Sequence, residues 1–252
     1  ERPYFLSLGP HAFFWFSIEA PSVPIAAVTE PPLLRAGATW TTLLEGDARP
    51  GLARAILEHA VGRRWFRGKA RTIEGGTLSD VMLVTSGEAT YAALTVTIEY
   101  TEGAPETYFV PLGFASGAQR DDLARRAPEA VIARVVLTDD ATTEPGGILY
   151  DALADSGFPA LLLQKISGRK SIGGERGQLV GSPLKALRAL PADADLTPRP
   201  MGADQTNTAI VFGAELMLKV VRLLEEGPSC EHESGRFFSA QQPPPAGVPR
   251  LV

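Results

Sequence analysis

Apolar and polar positions alternate most regularly between residues 90 and 100. In "TYAALTVTIEY" Ala92, Leu94, Val96 and Ile98 fall on one side, and Ala93, Thr95, Thr97 and Glu99 on the other. A period of two is that of a half-buried antiparallel strand. The segments "DVMLVTSG" (80–87) and "ETYFVPLGFASG" (106–117) have the same strand character, and glycines close each one, so the three read as a meander. "AVIARVVLTDD" (130–140) reads as another strand. The period changes in "RPGLARAILEHAVG" (49–62), where Leu52, Ile56, Leu57, Ala60 and Val61 gather near one helical face and Gly62 is a stop. "GGILYDALADSGFPALLLQKISG" (146–168) reads as a helix pair broken near Gly157 and Pro159. "SIGGERGQLVGSPLKALRAL" (171–190) reads as a glycine-rich turn followed by a short strand or helix. "CEHESGRFFSAQ" (230–241) reads as a helix.

The first 37 residues differ in texture. "PYFLSLGPHAFFWFSI" (3–18) reads as two short aromatic-rich strands around Gly9-Pro10. Residues 19–37 carry four prolines and few charges, the pattern of a stiff linker. Long antiparallel strands with helices grouped between them indicate an α+β fold, not a doubly wound parallel sheet. No repeat at solenoid spacing is present.

The chain has 252 residues, enough for one large domain or two ordinary ones. Apolar residues make up 44% and charged residues 21%, which excludes wholesale disorder. The net charge of −5 argues against nucleic acid as the main partner. The one cysteine, Cys230, allows no intrachain disulfide and suits a reducing cytoplasm. His11, His59 and His232 lie far apart, without metal-ligand spacing, so no metal site is expected. No apolar run reaches the roughly 20 residues that span a bilayer, and no secretory signal pattern opens the chain, so no membrane partner is expected. The first residue is glutamate and the last segment stops as an apolar run begins, so both ends read as cuts.

The chemistry concentrates in "ADQTNTAIVFGAELMLKVVRLLEEG" (203–227). "TAIVFG" and "AELMLKVVRLL" form a hairpin around Gly213-Ala214-Glu215. In its second strand Met217, Lys219 and Val221 share one face, and Leu216, Leu218 and Val220 the other. Lys219 thus emerges from an apolar surface, and a lysine there calls for an anion or a carboxylate beside it. The polar run before the hairpin, with Gln205, Thr206, Asn207 and Thr208, offers backbone N–H groups and side chains able to cradle phosphate oxygens. Downstream, Glu233 lies on the helix that starts near Ser229. A strand lysine, a glutamate on the next helix and a polar loop before the strands is the layout of a kinase small lobe. The bland alternative is an edge lysine that snorkels beside an ordinary loop. The run matches neither G-x-x-x-x-G-K-[ST] nor G-x-G-x-x-G, and no H-R-D catalytic segment occurs in the chain.

The segment "ADQTNTAIVFGAELMLKVVRLLEEGPSCEHESGRFF" resembles the nucleotide-binding small lobe of bacterial maltokinases. "RRWFRGKARTI" (63–73) resembles the "RWFGGK" segment of that family's N-terminal cap, with Arg67 where the family more often has glycine. "GERGQLVGSPLKALRAL" resembles the family's segment before the phosphate loop, and "PSCEHES" departs from the usual helix start. The likeness covers about residues 38–252. "PYFLSLGPHAFFWFSIEA" resembles the last strands of a trehalose synthase, an enzyme some bacteria carry fused to the kinase.

The resemblance implies a piece of a trehalose synthase–maltokinase fusion. Residues 1–18 would be terminal synthase strands, 19–37 a linker and 38–125 the antiparallel-sheet cap. Residues 126–198 would be an intermediate segment, and 199–252 a kinase-like, aminoglycoside-phosphotransferase-like small lobe. It implies ATP-dependent phosphorylation of maltose to maltose 1-phosphate in the cytoplasm, for α-glucan synthesis. Gln205, Thr206, Asn207, Thr208, Lys219 and Glu233 would face ATP, with Lys219 paired to Glu233. The catalytic aspartate, the Mg2+ ligands and most of the maltose site would belong to a large lobe outside this chain, leaving the fragment inactive alone. Two other readings stand beside it: an interaction module docking a maltokinase onto trehalose synthase, and a stand-alone small-molecule binding domain.

Smaller features carry paired readings. Trp65 and Phe66 are either an aromatic platform for sugar or anchors of a helix to a sheet. Arg63, Arg64, Arg67, Lys69 and Arg71 are either a partner-facing basic patch or a solvated face. Cys230 stands at the start of a helix, but a reactive role has no other support.

Overall fold

The computed structural model describes residues 30–138, 145–184, 187, 190–191, 193–201 and 207–241. The aromatic strands expected at 3–18 and most of the expected linker lie outside these residues. The part of that linker that is described is not a linker throughout. Leu33–Ala36 forms β1, an edge strand paired parallel to β5 (Val131–Leu137). Prolines at its entrance are tolerated because an edge needs donors on one side only. The Pro31 and Pro32 carbonyls accept from Arg134 Nε (3.1 Å) and Arg134 N (2.8 Å).

After β1, two 3₁₀ turns lead into α1 (Arg49–Val61), which Pro50 opens and Gly62 closes. The expected meander follows as β2 (Ile73–Ser86), β3 (Ala89–Tyr100) and β4 (Glu106–Ser116), antiparallel throughout. After β4 come α2 (Gly117–Arg126), β5 and β6 (Gly147–Asp151). The sheet order is β1-β5-β6-β4-β3-β2, so the sheet begun before residue 125 continues through the segment beyond it. The fold is α+β, with one parallel pair at the edge of an otherwise antiparallel sheet.

The sequence reading of 146–168 as two helices needs correction in its first half. All five residues of β6 are buried, because β6 runs between β5 and β4 in the middle of the sheet. A short apolar run covered on both faces shows no alternation, so its period does not separate strand from helix. The second half is α3 (Gly157–Ser167). Pro159 sits in its first turn, where the missing N–H has no helical acceptor to lose. β7 (Ser171–Gly173) and β8 (Gln178–Val180) form a small hairpin around the glycine-rich turn.

The strand alternation sorts the core onto two faces. On one face Leu94, Val96, Ile98, Tyr108, Val110 and Leu112 pack with Leu52 and Ile56 of α1. On the other, Met82, Val84, Ala93 and Phe109 pack with Phe158 and Leu161 of α3. Ala93 is therefore buried although it lies on the polar side of β3.

The second cluster also receives the late hairpin. β9 (Pro198–Pro200), β10 (Thr208–Phe212) and β11 (Leu216–Val220) form an antiparallel three-stranded sheet. Ile210, Phe212, Leu216 and Val220 enter the cluster, each contributing roughly 1.5–3 kcal/mol on full burial. The chain then returns to the large sheet as β12 (Leu223–Leu224), which pairs with Tyr108 and Thr107 of β4. The last element among the described residues is α4 (Cys230–Ala240).

Candidate functional site

The hairpin around Lys219 is fixed locally by its turn. Gly213 adopts φ of +54°, and a Cβ there would also lie 3.0 Å from the Asp195 carbonyl carbon, so only glycine fits. The register sets Ala209 opposite Lys219 and Thr208 opposite Val220. Leu216 and Val220 point into the core, which turns Met217, Lys219 and Val221 outward. The lysine sits on an exposed apolar face, not inside one.

Its ammonium is ion-paired to Glu231, with Nζ 2.7 Å from Oε1 and 2.5 Å from Oε2. The expected partner, Glu233, does not take this position. Ser229 caps α4, its hydroxyl accepting from His232 N at 3.1 Å, which places Glu231 in the first turn. Glu233 lies two residues on, about 200° round the helix. The Lys219 and Glu231 side chains are 41% and 66% exposed, so the pair is worth no more than about 1 kcal/mol. It holds the ammonium in place without committing it.

The polar run divides. Gln205 and Thr206 lie outside the described residues. Asn207 is half-exposed, just before β10. The Thr208 side chain is on the opposite face of the hairpin from Lys219, where its Oγ1 accepts from Arg222 Nε at 3.0 Å. The structure therefore does not bring the Thr208 and Lys219 side chains together.

Arg222 is the residue the sequence reading missed. It is 2% exposed. Besides Thr208, it donates from Nη2 to Asp151 Oδ2 (2.5 Å) and from Nη1 to the Phe109 carbonyl (3.4 Å), and its guanidinium lies 5.1 Å from the Trp65 ring centroid. Asp151 Oδ1 accepts from Leu153 N at 3.1 Å. The Phe109 N–H donates to the Arg222 carbonyl at 2.7 Å. Along this edge of β4, residues 112–116 pair with β6 and residues 107–108 with β12. Arg222 fills the gap where one partner hands over to the other. The signal in the sequence was a charge inside each apolar run, "VVRLL" and "ILYDAL".

The glycine-rich turn at 174–177 wraps a carboxylate of the protein itself. Asp80, at the start of "DVMLV", is buried against residues 174–177. It accepts from the backbone N–H of Glu175 (2.7 Å), Arg176 (3.1 Å), Gly177 (2.7 Å) and Val81 (2.9 Å). Burial pushes its pKa up, but these four donors outweigh that and hold it below the ordinary aspartate value. Arg49 clasps Glu175 from outside at 2.7 and 3.0 Å.

The aromatic segment after α1 is an anchor. Trp65 and Phe66 are buried against Tyr108, with ring centroids 5.8 and 5.2 Å away. The Tyr108 and Tyr100 hydroxyls donate to Glu106 Oε2 at 2.5 and 2.7 Å, and Arg71 reaches Oε1 at 3.2 Å. Burial raises the Glu106 pKa, yet the two phenols and Arg71 bring it below its ordinary value. Burial and Glu106 push the Tyr108 phenol up to about 12. The basic cluster is split by this packing: Arg71 is drawn onto Glu106 and over the Tyr100 ring, while Arg64, Arg67 and Lys69 face solvent.

Residues 60–155 match the family model of the maltokinase N-terminal cap domain. The match gives the chain a maltokinase-related origin and a link to carbohydrate metabolism. It begins on the last turn of α1 and takes in Trp65, Phe66, the Glu106 network, β2 to β6 and Asp151. The Lys219 hairpin and α4 lie beyond it. Within the cap, the departure at Arg67 is accommodated: residue 67 is exposed and in the right-handed region, whereas a Cβ on Gly68 would stand 2.7 Å from Tyr100 Cζ and 2.8 Å from Phe66 Cζ. Among the described residues, no helix is long and apolar enough to cross a membrane. No group of three or more His, Cys, Asp or Glu there is arranged to hold a metal ion.

Proposed function

We propose that this chain supplies the cap and the ATP-phosphate-binding segment of a maltose kinase of kinase-like fold, which forms maltose 1-phosphate. The reading rests on one combination: a maltokinase-type cap followed by a strand lysine held by a glutamate on the next helix. The exposed Lys219 ammonium is free to exchange Glu231 for phosphate oxygens, with Glu231 keeping it extended between turnovers. The hairpin contributes positioning and charge, which is most of what phosphoryl transfer asks of a protein. ATP fits this donor set in part, with Lys219 and the backbone around Asn207 as its contacts. The described residues offer no donor set that fits Mg2+. The maltose acceptor and the base that activates it belong, on this reading, to residues outside those described. Fusion to trehalose synthase and a cytoplasmic location go with the same proposal.

A second reading, a docking module for trehalose synthase, draws on the exposed apolar end of α4, where Phe237 is 62% exposed. Calorimetric titration with ATP separates the two. The kinase reading expects measurable affinity that Lys219→Ala weakens by about 1–3 kcal/mol, the worth of a hydrogen bond to a charged group. Affinity unchanged by Lys219→Ala removes the lysine assignment. No affinity in the wild type removes the nucleotide reading and leaves the docking module.

A further inference from the structure

A cavity of about 150 Å3 opens where the end of α1, the turn after β6 and the β9–β10 strands meet. Its walls include His59, Arg63, Asp151, Thr208 and Arg222, with Glu129 exposed at the rim. Arg63 Nε is the one buried side-chain nitrogen or oxygen among the described residues that has no hydrogen-bond partner. Arg222 uses three of its five N–H donors on Thr208, Phe109 and Asp151. The Asp151 carboxylate is committed to Arg222 and to Leu153 N. The enclosed groups thus present two guanidiniums against one carboxylate, one positive charge in excess, with donors to spare.

His59 completes the wall. Its Nδ1 lies 3.3 Å from the Val131 carbonyl, so in the neutral ring Nδ1 carries the hydrogen and Nε2 is left as an acceptor. Enclosure first, then Arg63 and Arg222, push its pKa down to about 4, against the opposing pull of Asp151 and the Val131 carbonyl. A neutral imidazole acceptor beside guanidinium donors suits an anion that also carries a hydrogen. One tetrahedral oxyanion fits this space, and its mouth is open to solvent, so the rest of a small monoester can project from it.

We propose that this cavity is a binding site for a protonated phosphate group, either the free ion or the phosphate of a small monoester, seated between Arg63, Arg222 and His59 at the seam of cap and hairpin. The phosphate oxygens accept from Arg63 Nε and the spare Arg222 N–H groups, and its P–OH donates to His59 Nε2. The C-terminal carbonyls of α1 oppose an anion, but Gly62 N and Arg63 N already bond to them, which leaves the two guanidiniums dominant. Because Arg222 also holds Thr208 and β12, an occupied site stiffens the join between cap and hairpin.

The test is histidine C–H NMR on the full chain, with His59 assigned by His59→Gln. Inorganic phosphate, glucose 1-phosphate and sulfate are titrated in turn against sodium chloride of equal ionic strength. Phosphate or the monoester is expected to shift the His59 resonances saturably, and whichever binds identifies the source. Sulfate, which has no hydrogen to donate near neutral pH, binds at least several-fold more weakly. Arg63→Gln, whose parent Nε makes no internal bond to lose, is expected to weaken binding about ten- to hundredfold, with Arg63→Lys intermediate. No saturable shift beyond sodium chloride, or unchanged affinity in Arg63→Gln, overturns the site. Equal affinity for sulfate overturns the role given to His59.

Discussion

Asp151→Asn tests the join between cap and hairpin with little change of shape. The substitution keeps Oδ1, which accepts from Leu153 N, and replaces the oxygen facing Arg222 Nη2 by an amide that only donates. Arg222 is 2% exposed, and its Nη2 is aimed at Asp151, not at bulk solvent. Breaking a buried pair by removing one partner costs about 3–5 kcal/mol, because the charge that remains has lost its counter-ion. An exposed pair would cost less than about 1 kcal/mol. Against a total stability of roughly 5–15 kcal/mol, the two expectations separate clearly. Equilibrium urea unfolding followed by tryptophan fluorescence is the assay, with Trp65 beneath the Arg222 guanidinium as a local reporter. At slopes of about 1–3 kcal/mol/M, the loss moves the midpoint down by 1 M or more. The double variant Asp151→Leu with Arg222→Met removes both charges and is expected to recover most of the loss. A cost below about 1 kcal/mol for Asp151→Asn, or a double variant no better than the single one, would refute the account of Arg222 as a charge held by one carboxylate.

Two further outcomes are expected. Gly68→Ala places a methyl among Tyr100 and Phe66, and overpacking of this kind costs about 1–3 kcal/mol. Arg67→Gly, next to it but exposed, changes thermal stability by less than half of that. Asp80 and Glu106 both have folded pKa values below their unfolded ones, near 3.9 and 4.3, so the unfolded chain binds more protons in acid. Their contribution is therefore complete above about pH 5 and is lost as pH falls through the folded values. Urea unfolding from pH 7 to pH 3 should show this loss, and Asp80→Asn should flatten the acid limb; a flat wild-type profile would contradict the four-donor clamp.

The elements legible in the sequence are those whose two sides meet different surroundings. β3 shows its period because Thr95, Thr97 and Glu99 lie on a less covered face. α1 is bounded by its own proline and glycine. β6 was illegible because burial on both faces erases the alternation. β12 was illegible because two residues carry no period, and its pairing depends on a strand more than a hundred positions earlier. At the site, Lys219 stood out as a charge in an apolar strand, and the helix carrying its partner was found. Which glutamate it meets depends on helical phase, set by the Ser229 cap, and that is fixed only in three dimensions. Arg222 and Asp151 gave the same kind of signal as Lys219 but turn inward. Only burial tells the two cases apart.

The return of β12 to β4 sets an order on how the molecule is made. Leu223 lies 115 residues after its partner Tyr108. At a synthesis rate of roughly 5–20 residues per second, Tyr108 emerges from the ribosome about 6–23 seconds before that partner exists. Throughout that interval the end of β4 at residues 107–108 has an open edge on one side, a template for stray strands. The cap therefore matures in two stages, with the meander first and its last seam closed only after the hairpin has been laid down. Any release of the nascent chain between those points yields a cap with an unpaired edge, which makes that seam the place where a chaperone has most to protect.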